Sequence, residues 1–154
     1  MDVCGLFATV KLAMSTQNQE TEFTRVEQQT ITKPLSPIQN PWFDEIVAGR
    51  KTVEGRAAPR SRFEPWIGKT IKIKEEHGKR EALVKVTDVR SYPDLEAYLE
   101  AEGWEITAPH TGSIEGARKA YADVMMKENI QVFSPERVAQ RGGIQAIEMI
   151  LVDP

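Results

Sequence analysis

The spacing of apolar and polar residues divides this chain into short strands and short helices. The clearest strand pattern is Thr70–Lys74, in which isoleucines alternate with outward-facing lysines. Leu83–Val89 repeats the alternation after a predicted hairpin turn at Glu76–Lys79. Ile144–Val152 is apolar on both faces, which is typical of a strand in the centre of a sheet or lining a barrel. The pattern therefore predicts a sheet of mainly antiparallel strands.

Helical spacing of apolar residues predicts three helices beside this sheet. The first begins at Asn40, a residue type that caps helices, and ends at Gly49. The second begins at Ser91–Pro93, and the third follows Ser113, which is again a capping residue type. The stretch Trp104–Gly112 between them is predicted to be a connecting loop that forms a lid over the site described below.

The residues before position 28 lack such periodicity. The polar stretch Ser15–Thr24 is rich in Gln, Thr and Glu, a composition that buries too little apolar surface to fold alone. We therefore predict a flexible polar N-terminal tail at residues 1–27 and a single domain at residues 28–154. An irregular alternation at Arg25–Thr32 predicts a first strand near this boundary.

A chain of 154 residues, 40% hydrophobic and 28% charged, is typical of one soluble globular domain. The single cysteine, Cys4, excludes an internal disulfide, and no Cys/His cluster has the spacing of a zinc site, so neither a metal nor a cofactor is expected. The apolar run Val3–Val10 is too short to span a bilayer and has no basic segment before it. We predict a soluble intracellular protein, cytoplasmic or nuclear, without a membrane partner, and a monomer or weak oligomer.

Charge is distributed unevenly along the chain, although the net charge is only −3. Residues 50–90 contain 12 Lys and Arg against 6 Asp and Glu, whereas the remainder contains 8 against 17. A local positive field is expected where a protein contacts phosphate. Lysines also keep exposed strand faces soluble, and on charge alone this second interpretation is favoured.

The segment Gly49–Arg56 concentrates charged groups where the first predicted helix gives way to a strand. Glu54 and Arg56 lie two residues apart, so an extended backbone places both on one face, where a carboxylate and a guanidinium hold each other in a fixed geometry. Lys51 has the opposite parity and joins them only if the backbone bends at the corner. The pattern predicts one concave site lined by these three side chains beside the loop around Trp104.

The spacing within Gly49–Arg56 resembles the G-x-K-x-x-E-x-R motif of the ASCH family, the activating-signal-cointegrator homology domain. Pro41–Phe43 precedes the motif in the manner of the family, and the resemblance extends over about Ile31–Val152. It implies an α+β fold, a small open PUA-like β-barrel of mainly antiparallel strands with three or so flanking helices, and a link to RNA. Lys69 departs from the family, whose members commonly have Asp at that position.

The first functional hypothesis is a module that binds RNA or a nucleotide. The cationic side chains would contact phosphate, Glu54 would accept a hydrogen bond from the exocyclic amine of a base, and Trp66 or Trp104 would stack on a base. Two arginines in the predicted loop 57–65 would add phosphate contacts. The predicted binding residues are Gly49, Lys51, Glu54, Arg56, Arg60, Arg62 and Trp104.

The second hypothesis is a hydrolase. Some small bacterial ASCH proteins are amidohydrolases that deacetylate N4-acetylcytidine with the motif Lys, a Thr at the position of Glu54, and a downstream Glu. By that resemblance Lys51 and Glu54 would be catalytic, with Glu105 or Glu102 as the downstream carboxylate. The Glu at position 54 departs from the pattern and weakens this hypothesis. Ribonuclease activity, suggested for other relatives, is a third hypothesis, and a structural pair of Glu54 with Arg56 that only fixes the corner is the alternative to all three.

Overall fold

A four-stranded antiparallel sheet organises the residues that the computed structural model describes, namely 35–123, 126–127 and 130–152. In chain order the strands are β1 (Val53–Ala57), β2 (Thr70–Lys74), β3 (Glu81–Tyr92), β4 (Met126–Lys127), β5 (Ile130–Gln131) and β6 (Ile144–Leu151). The large sheet has the order β1-β6-β3-β2, and β4 pairs with β5 separately. The last strand is therefore central, as its apolar residues on both faces predict.

Five short α-helices connect and flank the strands of the described residues. They are α1 (Trp42–Val47), α2 (Leu95–Glu102), α3 (Trp104–Thr107), α4 (Ile114–Asp123) and α5 (Pro135–Gln140). Before α2, the Asp94 carboxylate accepts from the amide of Ala97 at 2.8 Å, and before α4, the Ser113 hydroxyl accepts from the amide of Gly116 at 2.9 Å. Helices are thus confirmed after both predicted positions, but the start predicted at Ser91 was wrong, because Ser91 and Tyr92 extend β3 and α2 begins after Asp94. None of these five helices has the length and apolar content needed to cross a membrane.

One face of the sheet forms the apolar interior. Residues that pair directly across two strands point to the same side of the sheet, so buried apolar pairs identify this face. Ile71 pairs with Val84 and Val86 pairs with Met149, and all four side chains are buried. The sheet curls into a half-barrel around them, with a register shift in β3 after Val86. The apolar face continues across β6 to β1, so side chains on this face of β1 point into the same interior.

The opposite face of β1 lies against α2, and a glycine makes this approach possible. A Cβ atom at Gly55 would lie 2.8 Å from the ring and the hydroxyl of Tyr98. The Tyr98 side chain is fully buried, and its hydroxyl is 3.1 Å from that of Tyr121. Any side chain at position 55 would therefore displace a packed and hydrogen-bonded ring.

The described residues confirm the predicted α+β class and a sheet consistent with an open barrel flanked by helices. The turn Glu76–Lys79 joins β2 to β3, as predicted. The prediction of a loop at Trp104–Gly112 was wrong. The helix α3 and a 3-10 turn at Pro109–Thr111 occupy this stretch, because the carbonyls of Ile106 and Thr107 accept from Thr52 and Lys51, contacts between distant segments that the local pattern does not encode. The tail predicted at residues 1–27 and the strand predicted at Arg25–Thr32 lie outside the described residues.

A charged network joins the β2–β3 hairpin to the start of α1. Arg80 donates to both carboxylate oxygens of Glu75, with Nη2–Oε1 at 2.8 Å and Nε–Oε2 at 3.0 Å. Nη2 of Arg80 also donates to Asp44, and Asn40 donates to Oε1 of Glu75, each at 2.5 Å. The hydrogen bonds from Arg80, and next from Asn40, lower the pKa of Glu75 to about 2 in spite of its partial burial.

We expect Glu75 to make stability depend on pH under acidic conditions. Its pKa is about 2 in the folded chain against an ordinary 4.5, so its stabilisation is complete above pH 4.5 and is lost as the pH falls through 2. Glu75→Gln should flatten this part of the profile, measured by urea unfolding across that range. Glu81→Gln is the matched control, since Glu81 is exposed and its nearest lysine nitrogen is 3.3 Å away. An acid profile unchanged by Glu75→Gln would contradict the expectation.

Candidate functional site

The chain turns sharply between α1 and β1, and this corner sets the position of Lys51. Gly49 follows the helix with a φ of 79°, in the left-handed region that favours glycine. The amides of Arg50 and Lys51 both donate to the carbonyl of Glu45 at 3.0 Å, so the backbone folds back over the last turn of α1. The bend brings the Lys51 side chain to the side of Glu54 in spite of its opposite parity.

Protein groups enclose the ε-amine of Lys51. Its Nζ donates to the carbonyl oxygens of Val53 at 2.5 Å and Thr107 at 2.6 Å, and it lies 3.5 Å from Oε1 of Glu54. The Trp42 ring covers another side, with its centroid 5.0 Å from Nζ. Burial lowers the pKa of Lys51, and the Glu54 carboxylate opposes this change. Lys51 therefore ties β1 to α3 and places its amine beside Glu54.

Glu54 and Arg56 share the inner face of β1, as their parity predicts. Oε2 of Glu54 lies 3.5 Å from Nη2 of Arg56, and Oε1 lies at the same distance from Lys51. Both contacts are longer than the roughly 2.7–3.2 Å of a hydrogen bond. The Glu54 side chain is only 6% exposed. A nearly buried carboxylate thus stands between two basic side chains, and its contacts with both are long ones.

A cleft of about 260 Å³ separates β1 from the segment 35–39. Arg56 bridges the two sides, because its guanidinium donates to the hydroxyl oxygen of Ser36 at 2.5 Å and to the Ser36 carbonyl at 3.3 Å. The charged residues of the described lining are Arg56, Arg62, Arg141, Glu54 and Glu76, so arginines outnumber carboxylates. Arg62 and Arg141 are exposed, whereas Glu54 is buried. The cleft therefore has a positive rim and a buried acidic group.

Aromatic side chains form one wall of the cleft. Trp42 lines it, is 2% exposed, and meets His110 and Tyr121 edge-on at centroid distances of 4.6 and 5.0 Å. Phe133, also in the lining, packs on Tyr121 at 5.0 Å. Nε1 of Trp42 and Nδ1 of His110 are buried without a hydrogen-bond partner among the described residues. The wall is tightly packed, and it includes an indole N–H donor that has no acceptor among the described residues.

The predicted site residues nearest the motif are only partly brought together. Arg62 lines the cleft with Glu54 and Arg56, whereas Lys51 lies behind this surface. Arg60 is directed elsewhere, because its Nη1 donates to a carbonyl of β3 and its Nε is 3.5 Å from a neighbouring carboxylate. Gly49 shapes the corner and is not in the described lining.

The predicted aromatic and acidic partners lie away from the cleft lining. Trp104 is half-buried in α3, and Glu105 beside it is exposed. The main chain of α3 instead contacts the residues just before β1, where the Ile106 carbonyl accepts from the Thr52 amide at 3.0 Å. Trp66 is 6% exposed and packs on a phenylalanine ring, and Glu102 accepts hydrogen bonds from an arginine and a tyrosine of β3. The α3 segment is therefore a brace for Lys51, and the structure does not place it over the cleft as a lid.

Several lining residues were missed by sequence reasoning. Ser36, Glu76, Phe133 and Arg141 come from four separate segments, and none has a spacing relation to the motif. Only the tertiary arrangement brings them to one cleft, so no local signal could have found them. Within the described residues, no group of His, Cys, Asp or Glu side chains is arranged to hold a metal ion.

The half-barrel sheet, the flanking helices and the G-x-K-x-x-E-x-R corner define an ASCH-type domain. The ASCH domain family matches residues 37–149, and the chain belongs to this family. The match includes the corner, the whole four-stranded sheet up to Met149, and all five helices, so the candidate site is built almost entirely from the family's own framework.

Two solved structures are similar to this chain. The crystal structure of the hypothetical protein PH0355 is 32% identical, with a TM-score of 0.57, and the similarity covers 75% of this chain and 95% of that one. The solution NMR structure of protein PF0455 from Pyrococcus furiosus is 26% identical, with a TM-score of 0.50, over 77% and 96% of the two chains. No curated protein matches this chain. Function therefore has to be argued from the cleft.

We expect Lys51→Met to lower the free energy of unfolding by about 3 kcal/mol, because it leaves Glu54 with one fewer basic partner and two carbonyls without their donor. Denaturant unfolding measures the change. Lys72→Met is the control, since Lys72 is exposed on β2 and its removal should change stability by less than about 0.5 kcal/mol. Equal unfolding midpoints for Lys51→Met and the unmodified chain would contradict the structural role of Lys51.

Proposed function

We propose that this ASCH chain binds RNA or a nucleotide, with one nucleotide entering the cleft beside β1. The observation that supports this most is the meeting of a nearly buried carboxylate, Glu54, with exposed arginines in a single cleft. Nucleotides combine phosphate, which guanidinium groups bind, with hydrogen-bond donors on the base, which a carboxylate accepts. A cleft with a cationic rim and an acidic interior is complementary to both ends of such a ligand.

Arg62 and Arg141 are the proposed phosphate contacts. Both line the cleft and both are exposed. The Arg62 guanidinium stands 5.2 Å from the centroid of the Phe63 ring, a cation–π contact that restricts its orientation. Arg56 is already engaged by Ser36 and Glu54, so it contributes positive charge more than a free guanidinium. The basic excess of residues 50–90 adds a field that attracts phosphate-bearing ligands.

The size of the cleft supports one unpaired nucleotide as the unit that is bound. Its volume of about 260 Å³ lies just below the roughly 300–1,000 Å³ that is typical of small-molecule and cofactor pockets, so it has room for at most one nucleotide. A paired base presents only its groove edges, whereas a base of a single strand can leave the stack and enter a pocket. We therefore propose single-stranded RNA or a free nucleotide as the ligand, in preference to a duplex.

The amidohydrolase hypothesis has less support from the geometry. Lys51 and Glu54 do lie 3.5 Å apart, as a catalytic pair would require. The Lys51 amine, however, is enclosed and already donates to two main-chain carbonyls, so it is poorly placed to stabilise an oxyanion in the cleft. Glu102 is engaged by β3, and Glu105 is outside the described lining. We therefore rank binding above hydrolysis of N4-acetylcytidine.

We expect the affinity for a short single-stranded RNA to fall steeply with salt, because each phosphate contact releases counterions. Arg62→Ala and Arg141→Ala should each reduce the slope of log K against log salt by about 0.7. Both residues are exposed, so the unfolding midpoints should stay unchanged. Fluorescence anisotropy of a labelled oligonucleotide at several salt concentrations measures the slope.

Arg118→Ala is the matched control for these variants. Arg118 is an arginine of α4 that pairs with Glu96, and it does not line the cleft. Slopes that are the same in the unmodified chain and both cleft variants, or an equal reduction in Arg118→Ala, would contradict the proposed contacts. Multiple turnover of N4-acetylcytidine by the unmodified chain would reverse the ranking in favour of the amidohydrolase.

A further inference from the structure

The Glu54 carboxylate has acceptor positions that no described residue fills. Each of its oxygens has one basic nitrogen at 3.5 Å, which is longer than the usual hydrogen-bond distance of roughly 2.7–3.2 Å. An ionised carboxylate accepts hydrogen bonds at about four lone-pair positions and donates none. Because the side chain is 6% exposed and lines the cleft, little solvent reaches it. A ligand in the cleft that offers two adjacent donors would satisfy both oxygens at once.

The edge of β1 that faces away from β6 supplies main-chain N–H donors, which the Glu54 carboxylate lacks, together with carbonyl acceptors. The register is fixed by Thr52, whose carbonyl accepts from β6 at 2.8 Å, and by Ala58, whose amide donates to the loop before β6 at 3.2 Å. Main-chain groups alternate between the two edges of a strand, so those of Gly55 and Ala57 point away from β6. Both residues line the cleft, and no described residue pairs with them on that edge.

Trp42 is a second unfilled donor in the same lining. Its side chain is 2% exposed, and its indole Nε1–H has no acceptor among the described residues. Burying such a donor without a partner costs free energy, which a ligand acceptor would recover on binding. Among the described residues, the cleft thus combines a carboxylate that has only two long contacts to donors with N–H groups that lack an acceptor.

We propose that the base bound in this cleft is guanine, an inference that rests on the proposed nucleotide-binding function. Guanine presents two neighbouring donors, N1–H and the 2-amino group, followed by the acceptor O6. The two donors match the two oxygens of Glu54, and O6 matches an N–H donor from the edge of β1 or from Trp42. Lys51 and Arg56 stand on either side of the carboxylate and balance its charge.

The other bases offer a poorer match to Glu54. Neutral adenine and cytosine each place an acceptor nitrogen beside their amino group, and that nitrogen would face a carboxylate oxygen. Uracil has a single donor between two carbonyl oxygens. Hypoxanthine keeps N1–H and O6 and lacks only the 2-amino group, so it isolates one of the two proposed contacts. The expected order of affinity for the 5′-monophosphates is therefore guanosine, then inosine, then adenosine.

Calorimetric titration of the full chain with GMP, IMP and AMP tests the assignment. In the unmodified chain GMP should bind at least about tenfold more tightly than IMP, the lower part of the range for a bidentate contact to a base. Glu54→Gln should bring the GMP/IMP ratio close to one. The double variant with Lys51→Met and Glu54→Gln removes both members of the buried pair, so it tests the same ratio without an unpaired lysine. Glu96→Gln is the control, because Glu96 pairs with Arg118 outside the cleft, and its ratio should equal that of the unmodified chain.

The outcomes separate the base assignment from the binding proposal. Equal affinities for GMP, IMP and AMP that still fall with salt would overturn guanine and leave nucleotide binding intact. A GMP preference that survives in both Glu54 variants would overturn the role of Glu54. Absence of binding by all three nucleotides and by single-stranded RNA would overturn the binding proposal and this inference together.

Discussion

The enclosed amine of Lys51 is the contact on which the candidate site depends. It joins the carbonyls of Val53 and Thr107 and stands 3.5 Å from Glu54, so one side chain links β1, α3 and the cleft carboxylate. Removing the amine would leave a nearly buried carboxylate with one fewer basic neighbour and two carbonyls without their donor. The corner at Gly49 brings this lysine beside Glu54, because in a straight strand the two side chains would point to opposite faces.

The cleft follows from the way the sheet ends at β1. The strand β6 covers one edge of β1, and on the other edge the Val53 carbonyl accepts from the Lys51 amine, while the main-chain groups of Gly55 and Ala57 have no partner among the described residues. A strand edge with unpaired main-chain groups is normally covered or blunted, because it invites other chains to pair. Here the flanking arginines and the aromatic wall restrict access, which favours a small polar ligand over a second strand.

Local patterns were sufficient for the strands of the large sheet, for three of the helices and for one face of the motif strand. Alternation placed β2, β3 and the central β6, and parity placed Glu54 with Arg56, because these properties depend on neighbours in sequence. The bend that brings Lys51 to the same side depends on a hydrogen-bonded turn that parity does not encode. The helix at Trp104 and the arrival of Arg141 at the cleft depend on contacts between distant segments, so no local pattern could predict them.

The most direct test of the account is an NMR titration of the ¹⁵N-labelled chain with GMP. If a nucleotide binds beside Glu54, the largest shifts should fall on the amides of Gly55 and Ala57 and on the indole N–H of Trp42, with little change at Trp104, which lies outside the described cleft lining. Shifts concentrated instead on the exposed lysines of the β2–β3 face, with the Trp42 indole signal unmoved, would show that phosphate binds elsewhere and would contradict a nucleotide site beside Glu54.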